Sequence, residues 1–403
     1  MSWSLEVASL NPKITLFVFP LGHLANDWAP SAIWLLAPAI ALSMGLSPGE
    51  VGILIAIHSI GASLAYLPAG LLGDHFRNRG LLLMATFWWV AIGYFIAASA
   101  PGFWTLALLL AVAGMGDAAW HPIATGVMVQ QMPNRRAQVL GIHAMGGTLA
   151  EVGAPLCVGF LLASFDWRTV LELSVIPAVV MGLVFLRIAR FVPPSQQHGL
   201  SMDDIHHFLG VWLRPAGLWI IAIVSTYNMS WMAIMSMTPL FLQGVHGYSP
   251  ARTGIVFAAM LLIGSFAQPL LGRLSDVVGR KRVIVGTIAS AIVCSASIPL
   301  LDQPVGLISA LIAVAGLLVG VRAVILAAMV ETAGRRESTT LGLAFTVMDG
   351  VGALGAVFAG LAASVDLRYA FLVAAVLAAA TVLMTIRHSF TPTMVGVNVV
   401  NPD

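Results

Sequence analysis

The sequence predicts an all-helical protein that spans a membrane twelve times, in two six-helix halves related by duplication. Three observations carry this prediction. Hydrophobic residues make up 59% of the 403 positions and charged residues only 9%, which is far from the composition of soluble domains. The apolar residues fall in long runs, and a helix of about 20 such residues crosses a bilayer. Several short motifs also recur at offsets of 200 to 202 residues.

Hydrophobic runs separated by polar loops set the order of the elements. The predicted helices span 14–44, 48–72, 80–99, 103–131, 137–164, 167–190, 214–244, 249–274, 282–300, 304–333, 336–363 and 367–389. We therefore predict an N-terminal bundle over 1–190, a polar linker over 191–213, a C-terminal bundle over 214–390 and a tail over 391–403. Lys and Arg lie mostly in the loops on one side of the predicted spans. This bias predicts that the linker, the tail and both termini are cytoplasmic.

A charged loop that follows the second and eighth predicted helices is the clearest repeat, because its two copies are 202 residues apart. Glycine would let the flanking helices approach closely, Asp can cap a helix, and basic residues hold the turn at the cytoplasmic surface. We expect these loops to form contacts between helix ends that favour one of two conformations. The predicted gating residues are Gly70, Asp74, Arg79, Gly272, Asp276, Arg280 and Lys281.

Further matches extend the repeat along the chain. Ser47-Pro48 recurs as Ser249-Pro250 after 202 residues, and Asp166 recurs as Asp366 after 200 residues. An even number of helices in each half makes the halves parallel repeats about an axis along the membrane normal. Proteins built in this way bind substrate between their halves near the middle of the membrane, and the halves rock to alternate access.

Composition and motifs also exclude several classes. The net charge of +2 is too small to indicate nucleic-acid binding, and the basic residues lie in loops instead of along one stripe. The sequence contains no phosphate-binding loop, which argues against transport driven directly by ATP. The chain lacks the Gly-x-Ser-x-Gly and His-Glu-x-x-His motifs of hydrolases, so we predict that it is not an enzyme. Cys157 and Cys294 fall in apolar helices and are predicted to pack there. We expect no cofactor and no resident metal. We also expect a monomer in the bacterial inner membrane, with lipid, protons and a small-molecule substrate as its partners.

The charged loops resemble the signature of the major facilitator superfamily, and the second copy matches it in full. In the first copy Arg77 and Asn78 stand where Gly and Arg are usual. Two further stretches resemble the fosmidomycin-resistance branch of bacterial drug exporters. They are the predicted helix 1 stretch from His23 to Asp27 and the predicted helix 4 stretch from Gly114 to Pro122. These resemblances imply the twelve-helix fold of the superfamily and proton-driven antiport of a small molecule out of the cytoplasm.

Ionisable side chains within the predicted spans are the candidate functional residues. Insertion of a charged Asp or Arg at the centre of a membrane helix costs at least about 2.5–3.5 kcal/mol of free energy. We therefore expect such a side chain to face an aqueous cavity or an interaction partner. Seven polar residues near the middle of their spans suggest one shared aqueous cavity. They are Asp27, His58, Asp117, Glu151, Asn228, Arg322 and Asp349.

Two of these positions belong to pairs with helical spacing. His23 and Asp27 are four residues apart, and so are Asp117 and His121, which places each pair on one helix face. A carboxylate beside an imidazole can share a proton with it, although each histidine could instead make a packed polar contact. The predicted proton-coupling residues are Asp27, Asp117, Glu151, His23 and His121.

Arg322 stays charged at any physiological pH and therefore needs an anion. The anion could be Asp349, Glu151 or Asp117 in a structural ion pair, or a carboxylate or phosphonate group of the substrate held by two hydrogen bonds. Aromatic residues within the spans suit the walls of a ligand site, but ordinary packing explains them equally well. The predicted substrate-binding residues are Arg322, Asn26, Asn228, Trp120, Trp231, Asp349 and His58.

Four functions remain open at this point. The first is a proton-coupled antiporter that exports a small drug-like or anionic compound, and the second is a proton-coupled symporter that imports an organic anion or another metabolite. A third reading places a divalent metal among His23, Asp27, Asp117 and His121, whose nitrogen and oxygen atoms are suitable ligands. A receptor that binds its ligand without transporting it is the fourth.

Overall fold

The computed structural model describes residues 11–195, 210–333 and 337–388. The predicted tail over 391–403 and most of the predicted linker lie outside these residues. The α-helices of the described chain, in order, are α1 (Pro12–Met44), α2 (Pro48–His75), α3 (Arg79–Ala98), α4 (Phe103–Gln131), α5 (Arg136–Leu161), α6 (Trp167–Ser174), α7 (Ile176–Ile188), α8 (Pro215–Gly244), α9 (Pro250–Val278), α10 (Arg280–Ser297), α11 (Pro304–Ala333), α12 (Glu337–Gly350), α13 (Leu354–Ala363) and α14 (Tyr369–Arg387).

Eleven helical segments of the described chain are long and apolar enough to cross a membrane. Two of them combine neighbouring helices: α6 with α7 over Trp167–Phe191, and the end of α12 with α13 over Gly342–Ala363. Helix α1 is 33 residues long but contains three internal prolines and is not among the eleven. The chain is thus a multi-pass membrane protein, and the twelfth crossing by α1 stays a prediction.

The predicted helix over 336–363 is interrupted between α12 and α13. At this break Gly352 lies against α8, where an added Cβ would be 2.5 Å from Nδ2 of Asn228. Gly355, in the next turn, meets α8 as closely, because its Cβ would be 1.9 Å from the carbonyl oxygen of Met229. The interruption therefore coincides with a tight approach of two helices that only glycine permits.

Matched helix caps support the duplication inferred from the sequence. Ser47 and Ser249 each accept a hydrogen bond from the backbone N–H three residues further on, at 3.2 Å in both copies. Asp166 and Asp366 each accept one from the backbone N–H two residues further on, at 2.9 Å in both copies. Equal offsets in sequence thus correspond to equal local geometry, as expected of repeated units.

Two glycine crossings join the halves at the end of the molecule where α2 and α9 begin. A Cβ on Gly52 of α2 would lie 2.3 Å from the carbonyl oxygen of Ala356 and 3.3 Å from Cα of Gly360, both on α13. In the repeat, a Cβ on Gly254 of α9 would lie 3.3 Å from Cα of Gly159 on α5. We call this the glycine end; the two charged loops lie at the opposite end, which we call the charged end.

Candidate functional site

Helices α1 and α4 bring four ionisable side chains together deep within the N-terminal half. Nε2 of His23 lies 3.1 Å from Oδ2 of Asp27. Nε2 of His121 lies 3.8 Å from Oδ1 of Asp27 and 3.9 Å from Oδ1 of Asp117. The four side chains keep between 11% and 22% of their surface exposed. We call them the His–Asp cluster; the two predicted pairs thus form a single group.

Glycine on α5 allows this helix to lie directly against the cluster. A Cβ on Gly146 would be 2.0 Å from the carbonyl oxygen of Pro20, and a Cβ on Gly147 would be 2.7 Å from Nε2 of His23. Any larger side chain at either position would push α5 away from α1. The close approach also places the backbone of His143 beside the ring of His23.

The hydrogen bonds of His23 determine which of its ring nitrogens faces Asp27. Nδ1 lies 2.8 Å from the carbonyl oxygen of His143, and because a carbonyl can only accept, Nδ1 carries the hydrogen. Nε2 then points at the Asp27 carboxylate with a lone pair unless the ring holds a second proton. Two acceptors at 3.1 Å repel each other, so the geometry requires a cation between them or a proton on one of them.

Asn26 orients the second carboxylate of the cluster. Its Nδ2 donates to Oδ1 of Asp117 at 2.9 Å and to the backbone oxygen of the same residue at 3.1 Å. Asn26 is fully buried and holds Asp117 in place, and its contact with a substrate stays a prediction. Oδ1 of Asp27 is also buried and meets no other donor group within the described chain, but the carboxyl of Asp117 is close enough to share a proton with the Asp27 carboxylate.

A hydrogen bond connects this region to the C-terminal half. The hydroxyl of Tyr66 on α2 donates to Oδ2 of Asp349 on α12 at 2.6 Å. The Tyr66 ring also lies beside His121 of the His–Asp cluster, with the ring centroids 6.0 Å apart. Tyr66 therefore contacts ionisable groups of both halves.

Arg322 on α11 and Glu151 on α5 are buried in different halves and interact electrostatically. Arg322 interacts electrostatically with Glu151 and with Asp349. Among the described residues, no carboxylate oxygen of Glu151 or Asp349 lies within ion-pair distance of the Arg322 guanidinium. The structural ion pair considered for Arg322 is thus absent from the described part of the chain, and this cation can accept an anionic group.

The cluster also satisfies the distance criteria of a cation site. One donor atom each from His23, Asp27 and His121 lies within 4.8 Å of the other two, a spacing that a divalent ion could bridge. Asp117 is adjacent to this trio. The expectation from the sequence that no metal is bound stays a prediction.

Several residues predicted to bind substrate lie elsewhere. Trp120 is fully buried and packs in an aromatic group with Phe19 and Phe87 at centroid distances of 5.9 and 4.7 Å. Trp231 is partly buried against the core of the C-terminal half. The structure therefore places Trp120 in the core of the N-terminal half, where its ring also lies beside that of His143 with centroids 6.4 Å apart, and its contact with a substrate stays a prediction.

Two more predicted site residues make contacts within their own halves. Nδ2 of Asn228 donates to the backbone oxygen of Met348 at 2.5 Å and joins α8 to α12. Nε2 of His58 is 2.6 Å from the hydroxyl of Tyr94 and joins α2 to α3. Both bonds explain how these polar groups are accommodated within membrane helices.

Sequence reasoning missed two residues of the site. Tyr66 was not considered, because a single tyrosine in an apolar helix shows no spacing pattern. His143 was not among the predicted site residues, yet its ring stacks on that of His23 with centroids 4.3 Å apart. His143 is the seventh residue of the predicted span 137–164, and no local pattern reveals its contact with His23, since the contact joins residues 120 positions apart.

At the charged end, the second loop forms an ion-pair group within its own half. Arg280 pairs with Asp276 and, at 2.9 Å, with Glu331 at the end of α11. Lys281 donates to the backbone oxygens of Ile386 at 2.6 Å and His388 at 2.9 Å. These contacts tie α10 to α11 and to the end of α14.

In the first loop, Arg79 occupies the equivalent place. It donates to the side chain of Gln130 and to the backbone oxygen of Pro194, the latter at 2.9 Å. Gln130 and Glu331 are 201 positions apart, as are Arg79 and Arg280, so the two arginines contact equivalent positions of the repeat. The backbone oxygen of Asp74 accepts from Ser195. The contacts of both loops stay within one half or reach the start of the linker, so gating between the halves stays a prediction.

One expectation about the charged loops is wrong in this structure. Gly70 and Gly272 were expected to permit a close approach of helices. A Cβ on Gly272 would meet nothing within 4 Å, and one on Gly70 would make an ordinary contact of 3.6 Å with Cβ of Pro122. The close approaches between the halves occur instead at the glycine end, through Gly52 and Gly254.

Comparisons with known proteins agree with this architecture. Residues 21–356 match the Major Facilitator Superfamily. A putative metabolite transport protein of Haemophilus influenzae is 28% identical over 83% of this chain and 84% of its own length. A probable 4-methylmuconolactone transporter of Cupriavidus pinatubonensis is 24% identical over 79% of this chain and 75% of its own. More distant relatives carry the names of drug-resistance and nitrate transporters.

Among solved structures, a bacterial homolog of the human lysosomal transporter Spinster, in an inward-facing and occupied conformation, superposes with a TM-score of 0.79. It is 18% identical and covers 94% of this chain and 98% of its own, so the likeness concerns the fold. The match over residues 21–356 defines the class of this protein as a membrane transporter, and this family and fold are not those of enzymes. The chain belongs to the Major Facilitator Superfamily.

Proposed function

We propose that this transporter is a proton-coupled antiporter that exports a small drug-like or anionic organic compound across the bacterial inner membrane. The observation that carries the proposal is the contact of His23 with Asp27. Since Nδ1 of His23 is committed to a backbone carbonyl, Nε2 and the carboxylate 3.1 Å away face each other as acceptors. A proton is the smallest species that satisfies both.

The charge of the site supports the same proposal. Arg322 interacts electrostatically with the carboxylates of Glu151 and Asp349, and Asp117 interacts with those of Asp27 and Asp349. These four carboxylates outnumber Arg322, whose charge is permanent. Excess buried charge is costly in a membrane protein. Binding of a proton lowers this cost and release of the proton restores it, so the charge of the site can be coupled to movement of the halves.

Alternating access would use the two ends of the molecule in turn. At the glycine end, the halves are in van der Waals contact through Gly52 with α13 and Gly254 with α5. At the charged end, the described contacts of Arg79 and Arg280 remain within single halves or on the linker. This arrangement supports a conformation that is open toward the charged end, and the predicted orientation assigns that end to the cytoplasm.

Arg322 favours a substrate with an anionic group, because its guanidinium lacks a direct ion pair within the described chain. This observation fits export, as the resemblance to the fosmidomycin-resistance branch implies. It fits equally a second candidate function, a symporter that imports an organic anion. The relatives named as metabolite and 4-methylmuconolactone transporters support that alternative.

The test begins with a thermal-shift screen of the purified protein against organic anions and drug-like compounds. Counterflow of the best ligand in proteoliposomes, with and without an imposed pH gradient, then gives the direction of coupled movement. Asp27→Asn should abolish gradient-driven accumulation, because it removes the carboxylate that shares the proton with His23. Glu172→Gln on α6 is the matched control and should transport normally. Full gradient-driven transport by Asp27→Asn would exclude this residue from coupling.

A further inference from the structure

Tyr66 is the side chain of α2 that connects the two charged regions of the site. It is only 8% exposed. Its hydroxyl donates to Asp349 of the C-terminal half at 2.6 Å, and its ring lies beside His121 of the His–Asp cluster. The chain of contacts runs from Asp27 through His121 and Tyr66 to Asp349, which in turn interacts with Arg322.

The bond between Tyr66 and Asp349 crosses the interface between the halves. A second hydrogen bond that crosses it, from the backbone N–H of Gly49 to Oγ of Ser364, lies at the glycine end. We expect the rocking movement of the halves to separate α2 from α12 at one of its extremes, which would lengthen or break the Tyr66 bond. Its strength therefore contributes to the balance between the two conformations.

The charges around this bond set its strength. A phenol that donates to an ionised carboxylate forms a charge-assisted bond, roughly twice as strong as a neutral one. Groups that face Asp349 are Tyr66 on α2, Arg322 on α11, and the carboxylates of Asp117 on α4 and Glu151 on α5. A proton that arrives at the His–Asp cluster changes the field at Tyr66 and Asp349, because the cluster lies against the same phenol ring.

We propose that Tyr66 is a positioning residue that transmits occupancy of the His–Asp cluster to the interface between the halves, through its hydrogen bond to Asp349. This inference rests on the proposed proton coupling and adds the route by which a proton in one half affects the other half. Loss of the hydroxyl alone should uncouple the conformation from the proton while leaving the fold intact.

Distances between spin labels test this inference without a known substrate. Labels on Arg77→Cys and Arg282→Cys, in a background with Cys157→Ser and Cys294→Ser, report separation of the halves at the charged end. The purified protein in nanodiscs is measured from about pH 5 to pH 8, the range in which histidine titrates. In the parent, the populations of short and long distances should change with pH. In Tyr66→Phe that change should disappear, or its midpoint should move by about one pH unit or more.

Tyr94→Phe is the matched control, because it also removes one buried hydroxyl that bonds a polar group, Nε2 of His58, at 2.6 Å. In this variant, the populations of short and long distances should change with pH as they do in the parent. Asp349→Asn removes the charge of the acceptor and should reproduce the behaviour of Tyr66→Phe, which keeps the test decisive should one variant not fold.

The possible results separate the two proposals. A parent whose distances ignore pH would overturn proton coupling itself, and the role of Tyr66 with it. A parent that responds, together with a Tyr66→Phe or Asp349→Asn variant that follows the same curve, would overturn only the role of Tyr66. An equal loss of response in Tyr94→Phe would also overturn it, because the effect would then be unspecific.

Discussion

The glycine crossing at Gly52 allows a test with a single added carbon atom. In Gly52→Ala the new Cβ would lie 2.3 Å from the carbonyl oxygen of Ala356 and 3.0 Å from its carbonyl carbon. Because these are backbone atoms, α2 and α13 have to move apart. Overpacking of this kind costs typically about 1–3 kcal/mol. The cost applies only to the conformation in which the glycine end is closed.

The added cost should change the populations of the two conformations. Since each 1.4 kcal/mol is a factor of ten, about 1–3 kcal/mol lowers the population closed at the glycine end by roughly 5- to 150-fold relative to the other. Spin labels on Phe165→Cys and Asp302→Cys, which lie in loops of different halves near this end, should then report longer distances. The label pair at the charged end should report shorter ones.

Gly141→Ala on α5 is the control, since its Cβ would meet nothing within 4 Å. It should leave both sets of distances unchanged and, because alanine favours helix over glycine by up to about 1 kcal/mol, it should not destabilise the protein. Unchanged distances in Gly52→Ala would refute the reasoning, because the glycine contact would then not hold this end closed. Gly254→Ala, whose Cβ would lie 2.9 Å from the carbonyl oxygen of Pro155, should act in the same direction.

Two further predictions concern the helix cap at Asp166 and the start of the linker. Asp166→Ala should destabilise the start of α6 by about 0.5–2 kcal/mol, visible as a lower unfolding temperature; an unchanged temperature would contradict the cap. Hydrogen bonds from Thr169 lower the pKa of Asp166, so this contribution is present above the ordinary carboxyl pKa and is lost as pH falls through the lowered value. Arg79→Gln should remove the hydrogen bond to the backbone oxygen of Pro194 at the start of the linker, so proteases should cleave the linker faster. Arg77, whose side chain is exposed, is the control, and Arg77→Gln should not change the cleavage rate. Equal cleavage rates in the two variants would show that Arg79 does not hold the linker.

Composition and periodicity alone predicted much of this protein. Long apolar runs require membrane helices because every backbone polar group must be satisfied within the lipid. Repeated motifs such as the caps at Ser47 and Ser249 revealed the duplication, since a cap depends only on residues within one turn. The pairing of His23 with Asp27 was also predictable, because positions four apart on a helix share a face whatever surrounds it.

Contacts between helices were decided by the tertiary structure. Tyr66 and Asp349 are 283 positions apart, and nothing in their local sequences indicates that their helices meet at that depth. Trp120 and Asn228 were predicted to bind substrate. In the structure Trp120 is buried in the core and Asn228 donates to the backbone oxygen of Met348, and their contact with a substrate stays a prediction.

The sequence determined that this chain is a membrane protein with paired acidic and imidazole groups within its helices, and it predicted the duplication. Only the fold decided that those groups form one cluster, that Tyr66 connects the cluster to the other half, and that the halves meet through glycine at one end. The physical reason is that spacing along a helix is a local property. Which faces of two distant helices meet depends instead on how their whole surfaces pack.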